Sequence, residues 1–477
     1  MDKASLIARS YGFPPTAEQL VFCAEMASFL SSRLDGQCFV LKGYAGTGKT
    51  TSVGALVRSL PGFGLRSVLL APTGRAAKVM STYTGRKALT IHKKIYRKKS
   101  AVAAEMAFQL APNLSEHTLF IVDEASMISD EINVMSGSSL LKDLMTYVYN
   151  HKNCAVIFVG DTAQLPPVGS LHSPALDKDQ LRTAFQLKVK EVTLKEVVRQ
   201  EKRSGILANA TMLRKLIGSE QTAQENVSLP KFLTRNHKDI FRMSGQKLVE
   251  GLEYAYHKFG VEGTLVVCRS NKSANSYNQQ IRARLLYREE ELTGGDQIMV
   301  VKNNYFWLPE NESAAFIANG DMAVIKRVRR TEERYGFRFC EALLEFIDFP
   351  EAGEISCKVM LDTLAAETPS LPYERSNELF EALNEDYSYV SNKRERFAAI
   401  KEDPYYNALQ IKFAYAVTCH KAQGGQWEAV FIDQGYLTDE MVNLDFLRWL
   451  YTAVTRAKKE LFLVNFGQNM FTAPAEE

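Results

Sequence analysis

The sequence predicts an α/β protein made of two successive units, each with a parallel sheet covered by helices and each carrying an insertion. Short continuous apolar runs, each stopped by a polar or Gly-rich loop, recur through the first third of the chain, as expected for strands buried on both faces. A second set of the same kind starts near Gly263. Between residues 296 and 357 the apolar runs are instead spaced like the strands of a small β barrel.

In chain order, Thr16 opens the first helix with Gln19 at the third position of a capping box. Leu20, Phe22, Ala24, Met26 and Leu30 continue it with a mixed helical period. Cys38-Phe39-Val40-Leu41 is a strand that leads directly into residues 43–50. Residues 67–71 form a strand stopped by Pro72-Thr73-Gly74, residues 118–122 one that ends in Asp123-Glu124, and residues 154–159 one that ends in Gly160-Asp161. Open α/β sheets bind ligands at those carboxyl ends. A basic stretch over 93–99 opens an insertion over 93–117; it reads equally as a solvated face or as a nucleic-acid contact. In the second unit, residues 264–268 are a strand followed by a helix through Ile281 and Leu285, and further strands are expected at 413–417, 429–432 and 461–464. The barrel strands fall at 296–301, 321–325 and 340–346, and residues 376–410 are charged, tyrosine-rich and helical in parts.

A chain of 477 residues exceeds one hydrophobic core, and about 150 residues per domain gives roughly three or four units. Its 46% hydrophobic and 24% charged residues are ordinary for a globular protein. No apolar stretch reaches the ~20 residues of a membrane span, and the first residues lack the apolar core of a signal peptide, so a cytoplasmic protein is expected. A net charge of +3 means that any nucleic-acid binding must come from local patches. The seven scattered cysteines include no C-x-x-C pair, and the histidines show no metal-ligand spacing. Buried reduced thiols are expected, with neither a disulfide framework nor a zinc site.

Residues 43–50 read Gly-Tyr-Ala-Gly-Thr-Gly-Lys-Thr, the G-x-x-x-x-G-K-T phosphate loop, at the end of a strand and the start of a helix, where its chemistry needs it. Backbone N–H groups of Gly46, Thr47 and Gly48 are expected to cradle phosphates, Lys49 to charge-pair the β- and γ-phosphates, and the Thr50 hydroxyl to sit on Mg²⁺; Gly43 and Thr51 complete the nucleotide contacts. Asp123 is placed to hold Mg²⁺ through water, so that Thr50 and Asp123 are the metal residues, and Glu124 to polarise the attacking water. Gln164, in the loop after the fourth strand, is a candidate γ-phosphate sensor. Arg199 and Arg456 are candidate arginine fingers, because a planar guanidinium suits the charge that develops on a transferring phosphoryl group.

The order of Gln19, residues 43–50, Ala71-Pro72-Thr73-Gly74-Arg75-Ala76-Ala77, Thr90-Ile91-His92, Asp123-Glu124-Ala125-Ser126, residues 160–168, Val198-Arg199-Gln200, residues 415–424 and residues 451–456 resembles that of the superfamily 1B DNA helicases, the RecD-like and Dda-like groups. The strings Ala416-Val417-Thr418-Cys419-His420-Lys421-Ala422-Gln423-Gly424 and Tyr451-Thr452-Ala453-Val454-Thr455-Arg456-Ala457 are its most specific parts. The resemblance covers about residues 16–466. It implies two tandem RecA-like P-loop domains with a small pin insertion in the first and an SH3-like β-barrel insertion in the second. It divides the chain into 1–92 and 118–190 for domain 1 around a pin at 93–117, and 191–295 and 401–477 for domain 2 around the barrel at 296–400. It further implies ATP and Mg²⁺ as cofactors, adenine recognition by Gln19, and γ-phosphate contact by Gln164, Arg199, Gln423 and Arg456. Pro72, Thr73, His92, Thr418, His420 and Lys421 would touch single-stranded DNA, with aromatic side chains stacking on bases. His92 and His420 are expected in loops.

The resemblance implies an ATP-driven helicase that moves 5′ to 3′ on single-stranded DNA and acts at single-strand/duplex junctions as a monomer, with accessory repair, recombination or replication proteins as partners and no membrane. Two other readings are a motor subunit of a RecD-type exonuclease complex and a nucleotide-switch scaffold without unwinding. The scaffold needs neither the second α/β unit nor Arg456, and the nearest guanine-reader string, Asn271-Lys272-Ser273-Ala274, lacks its Asp. An RNA track also stays open, because backbone contacts discriminate poorly.

Overall fold

A computed structural model describes residues 3–98, 108–132, 137–197, 204–220, 228–235, 237–308, 317–347 and 349–472. In the first lobe the strands are β1 (Gln37–Gly43), β2 (Arg66–Ala71), β3 (Ala88–Thr90), β4 (Tyr96–Lys98), β5 (Phe108–Leu110), β6 (Thr118–Val122), β7 (Cys154–Gly160) and β8 (Lys188–Leu194). Six of them form one sheet in the order β3-β2-β6-β7-β1-β8, parallel throughout. Residues 38–41 and 154–159 are fully buried because helices cover both faces. Helices Ala17–Ser31, Lys49–Ser59 and Gly74–Thr84 pack one face around Phe22, Phe39 and Leu56; helices Leu140–Tyr149 and Lys178–Phe185 pack the other around Val40, Phe120 and Leu144. The Thr16 capping box is present: its hydroxyl accepts the Gln19 N–H and Gln19 Oε1 accepts the Thr16 N–H at 2.9 Å. This topology builds the site edge. β7 lies between β1 and β6, so the phosphate loop, Asp161 and the Asp123-Glu124 pair leave the sheet side by side despite their distance in sequence.

Between β3 and β6, helix Ile91–Ile95 leads into β4, which pairs antiparallel with β5 in a separate ribbon. Lys93 and Lys94 are half-buried on that helix rather than fully exposed, while Arg97 is exposed.

The second lobe opens with β9 (Ile240–Met243) and β10 (Thr264–Cys268). The chain then leaves to build a closed barrel from β11 (Gln297–Val300), β12 (Met322–Arg334), β13 (Phe337–Phe346), β14 (Glu354–Met360) and β15 (Leu409–Phe413). It returns as β16 (Ala416–Thr418), β17 (Trp427–Asp433) and β18 (Ala457–Val464), giving a parallel sheet in the order β16-β10-β17-β18-β9. Helices Tyr373–Asp386 and Lys393–Lys401 lie against the barrel over a satellite core of Phe337, Phe339, Leu379, Leu383 and Ile400. All seven cysteines are buried free thiols, and no helix among the described residues is long and apolar enough to cross a membrane.

The expected strand 413–417 is a correction. Phe413 ends β15 in the barrel and Ala416 begins β16 in the lobe sheet, so one apolar run serves two sheets. Asn278, 3% exposed, makes the exchange tolerable. Its Nδ2 donates to the carbonyls of Phe413 (3.1 Å) and Ala416 (2.9 Å), and its Oδ1 accepts the Ala416 N–H at 2.7 Å. Backbone groups freed from one ladder before joining the next are thereby satisfied. The same geometry bears on the expected boundaries. β8 pairs with β1 across the 190/191 division, and the barrel takes β15 from beyond residue 400. Helix Gly205–Glu220 packs with helix Leu444–Val454 in the second-lobe core, through Leu213, Ile217, Leu447 and Leu450.

Candidate nucleotide and nucleic-acid sites

The phosphate loop turns on two left-handed glycines, Gly46 (φ 75°) and Gly48 (φ 83°), the latter capping helix Lys49–Ser59. Only glycine takes these angles without strain, and they aim successive amides into one concavity at a helix N-terminus. Lys49 Nζ folds back over its own loop, donating to the carbonyls of Gly43 (2.6 Å) and Tyr44 (3.0 Å), and lies 3.9 Å from the Asp161 carboxylate. Thr47, buried, donates its hydroxyl to the Tyr44 carbonyl at 2.8 Å. Thr50 is exposed at the first turn and Thr51 half-buried beside it. Gln19 is fully buried, and its Nε2 has no hydrogen-bond partner. An unsatisfied buried amide costs about 1–3 kcal/mol, so this donor has a use when a ligand supplies an acceptor.

Asp123 and Glu124 follow β6. Asp123 accepts the Tyr83 hydroxyl at 2.6 Å on Oδ2 and the Glu124 N–H at 2.8 Å on Oδ1, which leaves lone pairs on both oxygens. Glu124 sits at φ 51°, a left-handed conformation costly for a residue with a side chain. Burial pushes its carboxyl above the usual carboxylate range. The charge of Arg456, from the other lobe, is the strongest influence opposing that rise; Asp123 adds to it, Lys49 opposes it and Asp161 adds to it. Lys49 of the first lobe and Arg456 of the second therefore act electrostatically on the same carboxylate.

Arg456 is 3% exposed, its guanidinium held by the carbonyls of Thr452 (3.0 Å) and Gly425 (3.1 Å) and by the Thr455 hydroxyl (3.1 Å). Gln164 is buried with Oε1 unpartnered. It lines a cavity of about 510 Å³ with Lys42, Tyr44, Thr162 and Arg448. Gln423 Nε2 donates to the Leu165 carbonyl at 2.9 Å, so one of its amide hydrogens ties the lobes together. Arg199 lies outside the described residues.

On the other side of this seam a cavity of about 560 Å³ is walled by all three parts of the fold. Thr73 and Arg75 come from the first lobe, Met299 and Met322 from the barrel, and Thr418 and Lys421 from the second lobe, with His420 beside them. Four of the six expected nucleic-acid residues thus meet in one groove; Pro72 and His92 are not among its lining. Thr73 also caps helix Gly74–Thr84, its hydroxyl accepting the Ala76 N–H. His92 and His420 lie on short helices, Ile91–Ile95 and Cys419–Ala422, and not in loops. Thr90 caps the first of these through the Lys93 N–H, a signal visible in Thr90-Ile91-His92. Among the described residues the groove lining holds no aromatic ring apart from His420; its apolar wall is Met299, Met322, Val168 and Pro369. Burial and the charge of Lys412 pull Lys421 down to about 8.

The groove is closed by tight approach of the lobes. A Cβ on Gly424 (φ 74°) would come within 3.0 Å of Thr73 Oγ1 and Ala76 Cβ, so glycine is required where the second lobe meets helix Gly74–Thr84. Arg75 lies over the Trp427 ring at 4.0 Å, a contact of about 1–2 kcal/mol, and Lys78 donates to the Ile347 carbonyl of the barrel. Sequence reasoning missed Tyr83, Arg75, Asp161 and Arg269, the last of which also lines the groove. Arg75 sits in the quoted 71–77 string and Asp161 ends a strand, so position alone could have raised both. Tyr83 is brought to Asp123 only by helix packing.

An AAA domain model matches residues 24–226, and a UvrD-like helicase C-terminal domain model matches residues 413–464. The chain is 35% identical over 144 residues to the ATP-dependent RecD2 DNA helicase of Deinococcus radiodurans, covering 30% of this chain and 18% of that one. It is 23% identical over 445 residues to the ATP-dependent DNA helicase dda of Enterobacteria phage T4, covering 89% and 93%. It is 23% identical to the ATP-dependent DNA helicase Pif1 of Psychrobacter, spanning 86% of this chain and 63% of that protein. A solved structure of two coordinating Pif1 helicases at forked duplex DNA shares the fold, with a TM-score of 0.50 at 14% identity over 97% of this chain and 95% of that one. With the AAA domain model and the UvrD-like helicase C-terminal model in that order along the chain, two parallel RecA-like sheets and a barrel inserted in the second, the chain is similar in sequence signature and fold to the superfamily 1B helicases of the Pif1/RecD/Dda group.

Proposed function

We propose that this chain is an ATP-dependent DNA helicase that moves 5′ to 3′ along single-stranded DNA and opens duplex at the junction ahead. The observation that carries this reading is the seam itself. The two lobes meet where Gln423 reaches the Leu165 carbonyl, Lys49 and Arg456 from opposite lobes both act on Glu124, and the groove lined by Thr73, Thr418 and Lys421 crosses the same seam. A change in lobe spacing at the phosphate-loop end of this seam is then a displacement along the groove.

The residues fit the cofactors. The unpartnered Gln19 Nε2 is a donor for a base acceptor, and the glycine-shaped cradle presents amides to phosphates. Thr50 and Asp123 would hold Mg²⁺, which neutralises charge on the β- and γ-oxygens when bound. Glu124, raised by burial, is suited to take a proton from water, while Arg456 supplies positive charge from the second lobe and Arg199 is a second candidate finger. Gln164 has a free carbonyl oxygen to orient a donor. Gln423, one amide hydrogen of which reaches Leu165, would contact the γ-phosphate, and Thr73, Thr418, His420 and Lys421 line the groove with hydroxyl, imidazole and ammonium groups that bind backbone without reading sequence, while Pro72 and His92 would meet the strand beyond that lining. The 93–117 insertion serves as the pin at the junction.

Strand displacement on 5′-tailed and 3′-tailed duplexes, each as DNA and as RNA, tests the reading. ATP-dependent unwinding of the 5′-tailed DNA alone is expected. Unwinding from the 3′ tail would overturn the polarity, RNA-only unwinding the substrate, and DNA binding without displacement the motor.

A further inference from the structure

Asp161 is 1% exposed at the end of β7, and a carboxylate so buried must be paired. Its Oδ1 accepts the Ala163 N–H at 2.9 Å, and its Oδ2 accepts the Tyr451 hydroxyl at 2.6 Å. Tyr451 belongs to helix Leu444–Val454 of the second lobe and is itself 1% exposed. The same phenol oxygen accepts the Ala45 N–H of the phosphate loop at 2.9 Å. One hydroxyl from the second lobe thus spends its donor on the Asp161 loop and its acceptor on the phosphate loop. The neighbouring turn extends the junction: Thr452 Oγ1 accepts the Leu165 N–H at 2.9 Å, and Arg448 donates to the Leu171 carbonyl at 2.9 Å. Arg456 is built on this helix end through the Thr452 carbonyl.

We infer that Tyr451 is a positioning residue that locks the second lobe onto the phosphate loop through Asp161 and the Ala45 amide and thereby sets where Arg456 stands relative to that loop. Ala45 lies between Gly43 and Gly46, inside the phosphate cradle, so the phenol registers the loop that a triphosphate would fill. The ring is packed in the second-lobe core with Leu447, Leu450 and Val454, so loss of the hydroxyl alone leaves the packing in place. The kinetic consequence rests on the motor reading above; the contact itself does not.

Tyr451→Phe and Asp161→Asn, singly and together, test it in the full chain. Backbone hydrogen exchange of the segment around Ala45 should quicken about tenfold in Tyr451→Phe with an unchanged melting temperature. DNA-stimulated ATPase should lose about tenfold in kcat, with KM for ATP within about twofold, and the double variant should lose no more than the worse single one. Unchanged exchange at Ala45 overturns the contact. A wild-type kcat, a loss confined to KM, or additive losses in the double variant overturn the positioning role. A wild-type protein without DNA-stimulated ATPase defeats the motor reading instead, and the exchange experiment still decides the lock.

Discussion

Replacing Asp296 with Ala should uncouple the barrel from the second lobe. Asp296 is fully buried at the start of β11 and accepts five hydrogen bonds. Arg282 approaches both carboxylate oxygens (3.0 and 2.9 Å), Arg288 donates at 2.7 Å, the Tyr415 hydroxyl at 2.8 Å and the Thr293 N–H at 2.9 Å. Arg282 comes from the helical segment after β10 and Tyr415 from the crossing between β15 and β16, so one anion pins both chain passages between barrel and lobe. Its removal strands two guanidinium groups, one with a side chain 9% exposed, and breaking such a buried arrangement costs about 3–5 kcal/mol. At 1.4 kcal/mol per decade that is about two to four decades in the local opening constant. Hydrogen exchange of β12 and β13 in native buffer reads it directly, without assuming that a multidomain chain unfolds in one step. Nucleotide affinity should persist, since the first lobe is untouched, while affinity for single-stranded DNA falls because Met299 and Met322 lose their place in the groove. Barrel exchange within about threefold of wild type would refute the reasoning.

Glu124→Gln should abolish turnover by about two orders of magnitude or more while stabilising the fold. With its carboxyl raised in the folded state, the glutamate contributes stability below the ordinary carboxylate range and loses it as pH rises through the raised value. The variant should therefore melt higher than wild type near pH 7.5 and no higher near pH 4; a pH-independent difference, or retained turnover, would contradict the assignment. Single-stranded DNA affinity should weaken from pH 7 to pH 9, because Lys421, at about 8, loses its proton across that window and with it a phosphate contact. Lys412, also held at about 8, titrates alongside, whereas burial holds His420 below its ordinary value and so neutral here. Lys421→Gln should flatten the profile and reduce the slope of log affinity against log salt by about 0.7; a variant as pH-sensitive as wild type would move the effect to another group.

The sequence by itself determined the chemistry-bearing edge of the fold. Apolar runs at 38–41, 67–71, 118–122 and 154–159 are strands because continuous burial on both faces leaves no other pattern, and glycines at 46 and 48 are needed where the loop turns left-handed. The second parallel sheet was legible for the same reason, and the barrel from the spacing of its apolar runs. Tertiary structure alone decided what hydrogen-bond partners decide. A single apolar run, 413–417, divides between two sheets, since hydrophobicity records burial and not the neighbouring strand. Gln423 reaches across to the Leu165 carbonyl, and Tyr83 and Tyr451 are partners of acids 40 and 290 residues away. Such pairings depend on the closing of sheets and lobes in space, and local spacing along the chain carries no trace of them.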